Sequence, residues 1–176
     1  MKVSKAQSAE NRQAIVDAAA RLYRERGFAG VGVAEISREA GFTHGGFYGH
    51  FASKDALAAE ACQQSLSQSL AKLQTSLTQH RGDARPYFQR YLRAEHRDHP
   101  GAGCAIAALA AEAARAEGPV PAALTEGIAG YLQALATHRP DGSLAEVPGA
   151  DDKARAVLAL SALVGGLVLA RATAEA

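Results

Sequence analysis

Apolar residues along this chain recur at intervals of three and four positions, which is the spacing of one face of an α-helix. The first series is Ile15, Ala18, Ala19, Leu22 and Tyr23, and four leucines follow at positions 66, 70, 73 and 77. No segment alternates apolar and polar residues for long enough to predict a strand. The pattern therefore predicts an all-α fold.

Glycine, proline and capping residues divide this pattern into eight predicted helices. Gly27 ends the first, which is expected to begin just after Arg12, and Ser53 is expected to cap the fourth. The second to fourth helices are predicted at about 33–40, 44–51 and 54–80. The fifth is predicted in the region of 84–98, and the last three are predicted at 104–117, 121–138 and 151–173. Three residues of that fifth helix are expected to face inward: Phe88, Tyr91 and Leu92.

Composition supports a helical, water-soluble chain. Its 176 residues are enough to bury a core, alanine is abundant, and only 6% of residues are aromatic. The two cysteines do not form a disulfide framework. No apolar stretch follows Met1 as in a signal peptide, and the apolar run 156–170 is shorter than the roughly 20 residues of a membrane-spanning helix. We therefore expect a cytoplasmic protein.

The overall charge is nearly balanced, with 19 basic and 18 acidic residues, but it is unevenly distributed. Residues 1–54 carry eight Lys or Arg against five Asp or Glu, whereas the remainder is mildly acidic. A small basic N-terminal part is typical of a polyanion-binding region, although ordinary protein surfaces also show such an excess.

Residues 35–55 predict a helix, a tight glycine turn and a second short helix. This is the pattern of a helix-turn-helix, whose second helix lies in the DNA major groove. Two short helices packed in a bundle would give the same pattern.

A longer set of residues makes the comparison more specific. It comprises Ile15, Ala18, Ala19, Leu22, Gly27, Phe28, Glu35, Ile36, Ala40, Gly41 and the motif Phe47-Tyr48-x-His50-Phe51-x-Ser53-Lys54-Asp55-x-Leu57. With these residues, the segment from Arg12 to Leu57 resembles the TetR family of bacterial one-component regulators.

The resemblance implies a three-helix DNA-binding head at residues 1–53 and a helical ligand-binding and dimerisation body at 54–176. It also implies double-stranded operator DNA and a small-molecule effector as partners. A homodimer through the last helix (151–174) is expected because this helix is apolar on all sides and needs covering. Relatives usually have one further helix in this interface.

The predicted recognition helix has an unusual face. At 100° per residue, Phe47 and Phe51 share one side and should anchor the helix, while Gly45, Gly46 and Gly49 fall opposite. Glycine permits close approach to DNA but weakens a helix. We therefore expect a helix that is marginal when free and is ordered by DNA. The candidate DNA-binding residues are Arg12, Thr43, His44, Gly45, Gly46, Tyr48, Gly49, His50 and Lys54.

These candidates have different expected roles. His44 is expected to contact base edges, because both ring nitrogens can donate or accept hydrogen bonds. Tyr48, His50 and Lys54 match family positions that hold the DNA backbone. Thr43 serves as a helix cap, a phosphate contact or both. A phosphate contact by Arg12 and a solvated arginine remain equal alternatives.

The resemblance also implies an effector pocket in the body. We expect it to prefer a small, largely apolar molecule, because its surroundings are rich in alanine and poor in polar groups. Ordinary core packing is the alternative role for each candidate lining residue. These candidates are Leu66, Leu70, Phe88, Tyr91, Leu92, Cys104, Leu109, Tyr131 and Leu163.

Cys104 has two possible roles. At the start of a helix, and near His96, Arg97 and His99, its thiol pKa would be lowered, as in a thiol that senses electrophiles or oxidants. A small buried apolar residue is the alternative. The spacing of His96, His99 and Cys104 lacks a fourth ligand for zinc, so no metal site is predicted. Gly103, Cys104 and Glu112 are also similar to a motif in some TetR relatives.

The sequence therefore predicts a ligand-responsive, homodimeric DNA-binding regulator, most simply a repressor released from a palindromic operator by an apolar or thiol-reactive effector. No cofactor is expected. No phosphate-binding loop or catalytic motif indicates an enzyme, and no catalytic residue is assigned. The alternative is a helical ligand-binding or protein-interaction module whose DNA head has degenerated.

Overall fold

A computed structural model describes residues 4–173, except for the side chain of His44. It is 73% helical, and the described residues contain no strand beyond an isolated bridge between His138 and Leu144. The predicted all-α fold is confirmed. The helices are α1 (Lys5–Arg26), α2 (Val33–Glu39), α3 (His44–Phe47), α4 (Lys54–Gln79), α5 (Arg85–Tyr91), α6 (Ala94–Asp98), α7 (Ala105–Ala113), α8 (Val120–Thr137) and α9 (Ala150–Thr173), with a 3₁₀ turn at Pro100–Ala102.

Most predicted helix bounds agree closely with the structure, but the start of α1 is wrong. The helix begins at Lys5, so Arg12 lies within it rather than before it. The Ser4 Oγ caps this start by accepting a hydrogen bond from the Gln7 N–H at 3.1 Å. The first two turns are polar and solvent-facing, so no apolar spacing indicates them in the sequence. The predicted Ser53 cap is present, since its Oγ accepts from the Ala56 N–H at 3.0 Å.

Three other predicted helices are shorter or broken. One is α7, which ends at Ala113 rather than at 117. α3 ends at Phe47 rather than near Phe51, and turns continue to His50, consistent with the low helix propensity of its glycines. The predicted fifth helix is divided into α5 and α6. Because α5 ends at Tyr91, Leu92 points outward with 54% of its surface exposed, and its predicted inward orientation is wrong.

The apolar core is continuous from the N-terminal head into the body. α4 lies at its centre and packs against both α8 and α1. Tyr23 on α1, Phe47 on α3 and Leu57 on α4 are fully buried in the same cluster. α1 also lies against the 3₁₀ turn of the body, so the head cannot change its tilt without affecting α1 and its packing.

α9 buries only one of its faces. Ala156, Leu160, Leu163 and Leu167 pack inward, chiefly against α8. By length and composition alone α9 would also qualify as a membrane span, a test that core helices of soluble proteins pass as well. The outer apolar residues are exposed: Val157, Leu158, Val168 and Leu169.

A buried carboxylate fixes where α9 begins. Asp152 accepts hydrogen bonds from the Arg139 guanidinium at 2.8 and 2.9 Å and from the Gly149 N–H at 3.2 Å. Arg155 approaches the same carboxylate at 3.4 Å. The Arg139 hydrogen bonds are the main reason that the pKa of Asp152 lies far below its ordinary value. The loop before α9 is thereby tied to the first turn of the helix.

Candidate DNA interface and effector cavity

Gly41 makes the turn between α2 and α3 possible. Its φ of +84° lies in the left-handed region that side chains disfavour, and the next residue, Phe42, donates its N–H to the Ser37 carbonyl at 2.7 Å. The chain therefore reverses within a few residues and presents α3 beside α2, as a helix-turn-helix requires.

Two phenylalanines anchor α3 to the head, as predicted. Phe47 and Phe51 are both buried, and their rings stack with centroids 5.6 Å apart. Hydrogen bonds from the N–H groups of His50 and Phe51 to the Phe47 carbonyl hold the turn after the helix. The anchoring side is therefore well packed although the helix has only four residues.

The opposite side of α3 carries almost no side-chain atoms. Gly45 and Gly49 are exposed, and none of the three glycines has a positive φ. A Cβ atom added to Gly45 would meet nothing within 4 Å, and one added to Gly46 would make ordinary contacts at 3.7 Å. The fold therefore does not require glycine at these positions.

Three of the predicted DNA-binding side chains lie around this bare surface. Tyr48 is 60% exposed, with its ring edge-on to Phe47 at 5.1 Å. Thr43 is exposed at the N-cap position, where its side chain makes no capping hydrogen bond, and His50 is half-buried. The side chain of His44 lies outside the described residues, so its predicted contact with base edges stays a prediction.

The two predicted cationic contacts have partners within the protein. Arg12 makes two hydrogen bonds to the Glu60 carboxylate on α4, one of them at 2.5 Å, and its guanidinium lies 4.5 Å from the Phe51 ring centroid. The Lys54 Nζ donates to the Phe28 carbonyl at 2.6 Å. Lys54 keeps two further N–H donors for a phosphate, whereas Arg12 would have to leave Glu60.

A cavity of about 500 Å³ opens in the body between α4, α5, α6 and the 3₁₀ turn. Of the nine predicted pocket residues, only Tyr91 and Cys104 line it. The full lining is Ser69, Lys72, Tyr87, Arg90, Tyr91, Arg93, Glu95, His96, His99, Ala102, Gly103 and Cys104.

The other seven predicted pocket residues are not in this lining. Leu92 is exposed on the outside, where a smaller cavity lies between it and α9. The remaining six contribute to the core, fully or partly buried: Leu66, Leu70, Phe88, Leu109, Tyr131 and Leu163. The alternative role, core packing, therefore describes their positions.

The wall of the cavity is organised around His96. Its Nδ1 is 2.7 Å from the Tyr91 carbonyl, and its Nε2 accepts a hydrogen bond from the Cys104 N–H at 2.9 Å. This pattern requires a neutral ring with the proton on Nδ1, and burial lowers the pKa of His96 in the same direction. Both nitrogens are occupied by protein partners, so His96 in this arrangement is not a metal ligand.

Comparison with known proteins identifies the head. Residues 15–61 match the family model described as "Bacterial regulatory proteins, tetR family". The head is therefore a TetR-family segment, and the match does not extend into most of the body. A segment of 64 residues is also 38% identical to an uncharacterized HTH-type transcriptional regulator, YerO, from Bacillus subtilis. That alignment covers 36% of this chain and only 22% of the relative.

Solved structures share the fold of the whole chain. The reduced form of Escherichia coli NemR has a TM-score of 0.79 at 22% identity, covering 93% of this chain and 88% of that one. TetR-family regulators from Agrobacterium tumefaciens and Cytophaga hutchinsonii have the same TM-score at 20% and 23% identity. The match to the Agrobacterium tumefaciens regulator covers 96% of this chain and 90% of that one. The match to the Cytophaga hutchinsonii regulator covers 98% of this chain and 88% of that one. At these identities the likeness concerns the fold alone.

One helix connects the cavity wall with this TetR head. Cys104 is the N-cap of α7, and Glu112 lies in the last turn of the same helix. The Glu112 carboxylate accepts a hydrogen bond from the Phe28 N–H at 2.8 Å, while Lys54 binds the Phe28 carbonyl. Gly27, with φ of +74°, leaves room for the carboxylate, because a Cβ there would collide with it.

A second connection runs through α1. Arg24 donates from Nε to the Gly101 carbonyl at 2.8 Å and also bonds Ser65 on α4. Gly101 belongs to the 3₁₀ turn whose next residues, Ala102 and Gly103, line the cavity. The cavity wall is therefore linked to the head through both α7 and α1.

Three cations that line the cavity, Lys72, Arg90 and Arg93, were not predicted from the sequence. The predicted lining was apolar because pockets are mostly apolar, and only the fold brings Lys72 on α4 next to the two arginines. The sequence did offer one indication of a basic site: Arg90 and Arg93 lie three residues apart, close to Tyr87 and Tyr91. The lining is thus more polar and basic than predicted.

The glycine surface yields a direct test. Replacing Gly45 and Gly46 with alanine should raise the free energy of unfolding by up to about 1 kcal/mol per position, because alanine favours the helix and meets no obstacle. The same variant should bind DNA about tenfold more weakly if the glycines allow close approach of the backbone. Denaturant unfolding and fluorescence anisotropy measure the two effects. Unchanged DNA affinity in the stabilised variant would rule out a close approach here.

Proposed function

We propose that this protein is a ligand-responsive, homodimeric transcriptional repressor that binds a palindromic operator and is released when an effector occupies the body cavity. The observation that carries the proposal is the connection from the cavity wall along α7 to the Phe28 N–H of the head. The TetR family match supports the DNA-binding half. Such a protein works in the cytoplasm and needs no cofactor.

The head offers contacts to DNA through α3 and the residues beside it. The glycine surface allows the backbone to approach, and Tyr48, Thr43 and Lys54 supply donors for phosphates. Several head arginines are already paired with carboxylates, including Arg12 with Glu60 and Arg21 with Glu39. We therefore expect few counterions to be released on binding, and a shallow dependence of affinity on salt.

The outer face of α9 supports dimerisation. Val157, Leu158 and Leu169 are more than half exposed, and Leu158 exposes 71% of its surface. A second copy related by a two-fold axis would cover this face, since a two-fold interface uses the same patch on both chains. The two heads would then contact half-sites separated by a whole number of DNA turns.

Selective DNA binding is the first test of this function. In fluorescence anisotropy, the protein should bind labelled DNA that flanks its own gene. The complex should persist in the presence of random competitor DNA and should contain two chains per site. Tyr48→Phe and Lys54→Ala should weaken binding to all sequences, whereas His44→Ala should relax the preference at one base pair per half-site. Loss of all binding to random competitor would favour the alternative, a ligand-binding or interaction module with a degenerate head.

Coupling between cavity and head would operate through the position of α7. His96 accepts a hydrogen bond from the Cys104 N–H, which lies at the start of α7. A ligand that displaces His96 would therefore also displace the start of α7. The far end of α7 holds the Phe28 peptide through Glu112, so a shift of the helix changes the tilt of the head. The ligand and DNA then affect each other's affinity reciprocally.

Glu112 is the residue on which this coupling should depend. Glu112→Ala leaves the Phe28 N–H without its acceptor, and we expect operator affinity to fall about fivefold or more, the lower range of typical coupling. Glu126→Ala on the exposed side of α8 is the matched control and should leave affinity unchanged. Equal affinities for the two variants and the parent chain would contradict a role for α7 in setting the head.

A thiol-reactive effector is also proposed, because Cys104 lines the cavity although only 4% of its surface is exposed. Iodoacetamide should alkylate it, with the thiolate sulfur displacing iodide and the thiol proton passing to solvent. Treatment should lower operator affinity in the parent chain but not in Cys104→Ser.

Cys62 provides a matched control for this experiment. It is buried away from the cavity lining, and burial raises its pKa to about 11, which leaves little thiolate near neutrality. Cys62→Ser should therefore respond as the parent chain does. A response that persists in Cys104→Ser would return Cys104 to a packing role.

A further inference from the structure

The cavity concentrates positive charge at its rim. Lys72 comes from α4, Arg90 from α5 and Arg93 from the junction before α6, and all three also border a neighbouring cavity of about 410 Å³. None of the three makes an ion pair within the described residues. The lining holds a single carboxylate, Glu95. Three like charges around one opening repel each other, and a bound anion would relieve this repulsion.

The interior of the cavity is aromatic and contains one unsatisfied donor. Tyr91 is only 6% exposed, and its hydroxyl makes no hydrogen bond of good geometry, since its neighbour, the Cys104 thiol, is a weak hydrogen-bonding group. Burial is the main cause that raises the pKa of Tyr91, so the hydroxyl keeps its proton and needs an acceptor. Buried donors without good partners are uncommon because desolvation is costly, and one in a cavity wall is available to an acceptor atom of a ligand.

Tyr87 completes this interior. Its ring lies 6.1 Å from the Tyr91 ring, and the Arg90 guanidinium lies 5.6 Å from the Tyr87 ring centroid. The Tyr87 hydroxyl has the Tyr131 hydroxyl as a partner at 3.5 Å, so Tyr91 is the tyrosine of this lining whose hydroxyl lacks a well-placed acceptor. A flat apolar group would therefore meet tyrosine side chains inside and guanidinium groups at the entrance.

We infer that the cavity binds an organic acid whose carboxylate sits among Lys72, Arg90 and Arg93 and whose aromatic body, carrying an acceptor atom, lies against Tyr87 and Tyr91. A volume of about 500 Å³ accommodates a ligand of one or two fused rings. Arginine suits this role because its planar donors match a carboxylate. The inference gives the proposed function a chemical class of effector, and it replaces the apolar effector that the sequence predicts.

Isothermal titration calorimetry on the full chain, without DNA, tests this assignment. The probes are 6-methoxy-2-naphthoate and its neutral amide, which differ in charge while sharing the body and the methoxy acceptor. The acid should bind about tenfold or more tightly than the amide, as expected for hydrogen bonds to charged groups. The preference should disappear in the double variant Arg90→Gln/Arg93→Gln and persist in Lys153→Gln, a change of an exposed cation outside the cavity.

Two further variants make the result decisive. Tyr91→Phe should weaken the acid and the amide by a similar factor, because the methoxy oxygen is common to both. Lys72→Gln should reduce the preference for the acid, which supports the site if the double variant does not fold. Retained binding of the amide by the double variant would show that its cavity is intact.

Several outcomes would overturn the inference. They are equal affinities for acid and amide, an unchanged preference in the folded double variant, no binding of the acid at millimolar concentration, and displacement of the acid by equimolar inorganic phosphate. The last would indicate a plain anion site. Binding of the acid without release of operator DNA would uphold the site but contradict the proposed repressor mechanism, so the two failures are distinguishable.

Discussion

The backbone of Phe28 is the point at which the body holds the head. The Glu112 carboxylate accepts a hydrogen bond from the Phe28 N–H, and Lys54 donates one to the Phe28 carbonyl. Both backbone polar groups of this residue, which follows α1, are therefore satisfied by side chains of the body. Loss of a hydrogen-bond partner by a partly buried backbone group is costly, which gives this contact a preferred geometry. The left-handed Gly27 beside it admits the carboxylate, and the position of α3 follows from how α1 ends there.

The fold was largely predictable from the sequence because it depends on local patterns. Apolar spacing located α2, α4, α8 and α9, and the Ser53 cap fixed the start of α4. The start of α1 was not predictable from apolar spacing, since its first turns are polar and exposed. The break after Tyr91 was missed because Leu92 continues the apolar series although the chain turns there.

The candidate sites depend on contacts between distant segments, which the sequence does not reveal. Arg12 and Glu60 are far apart in the chain, and their ion pair joins α1 to α4, which neither of the two predicted roles of Arg12, a phosphate contact or a solvated arginine, includes. In the cavity, Lys72 likewise lies far in sequence from Arg90 and Arg93. By contrast, the glycine surface of α3 was predictable, because helical periodicity within seven residues places Gly45 and Gly49 opposite the buried Phe47.

The sparseness of α3 has a consequence for the kind of operator that such a head selects. A surface with few side chains has few donors and acceptors to distinguish one base edge from another. Discrimination between DNA sequences then depends on groove width and on the flexibility of the DNA. The protein backbone of α3 can fit closely only against a groove of suitable shape. Operators selected in this way would share mechanical properties, such as an easily bent base step, more than a common string of bases.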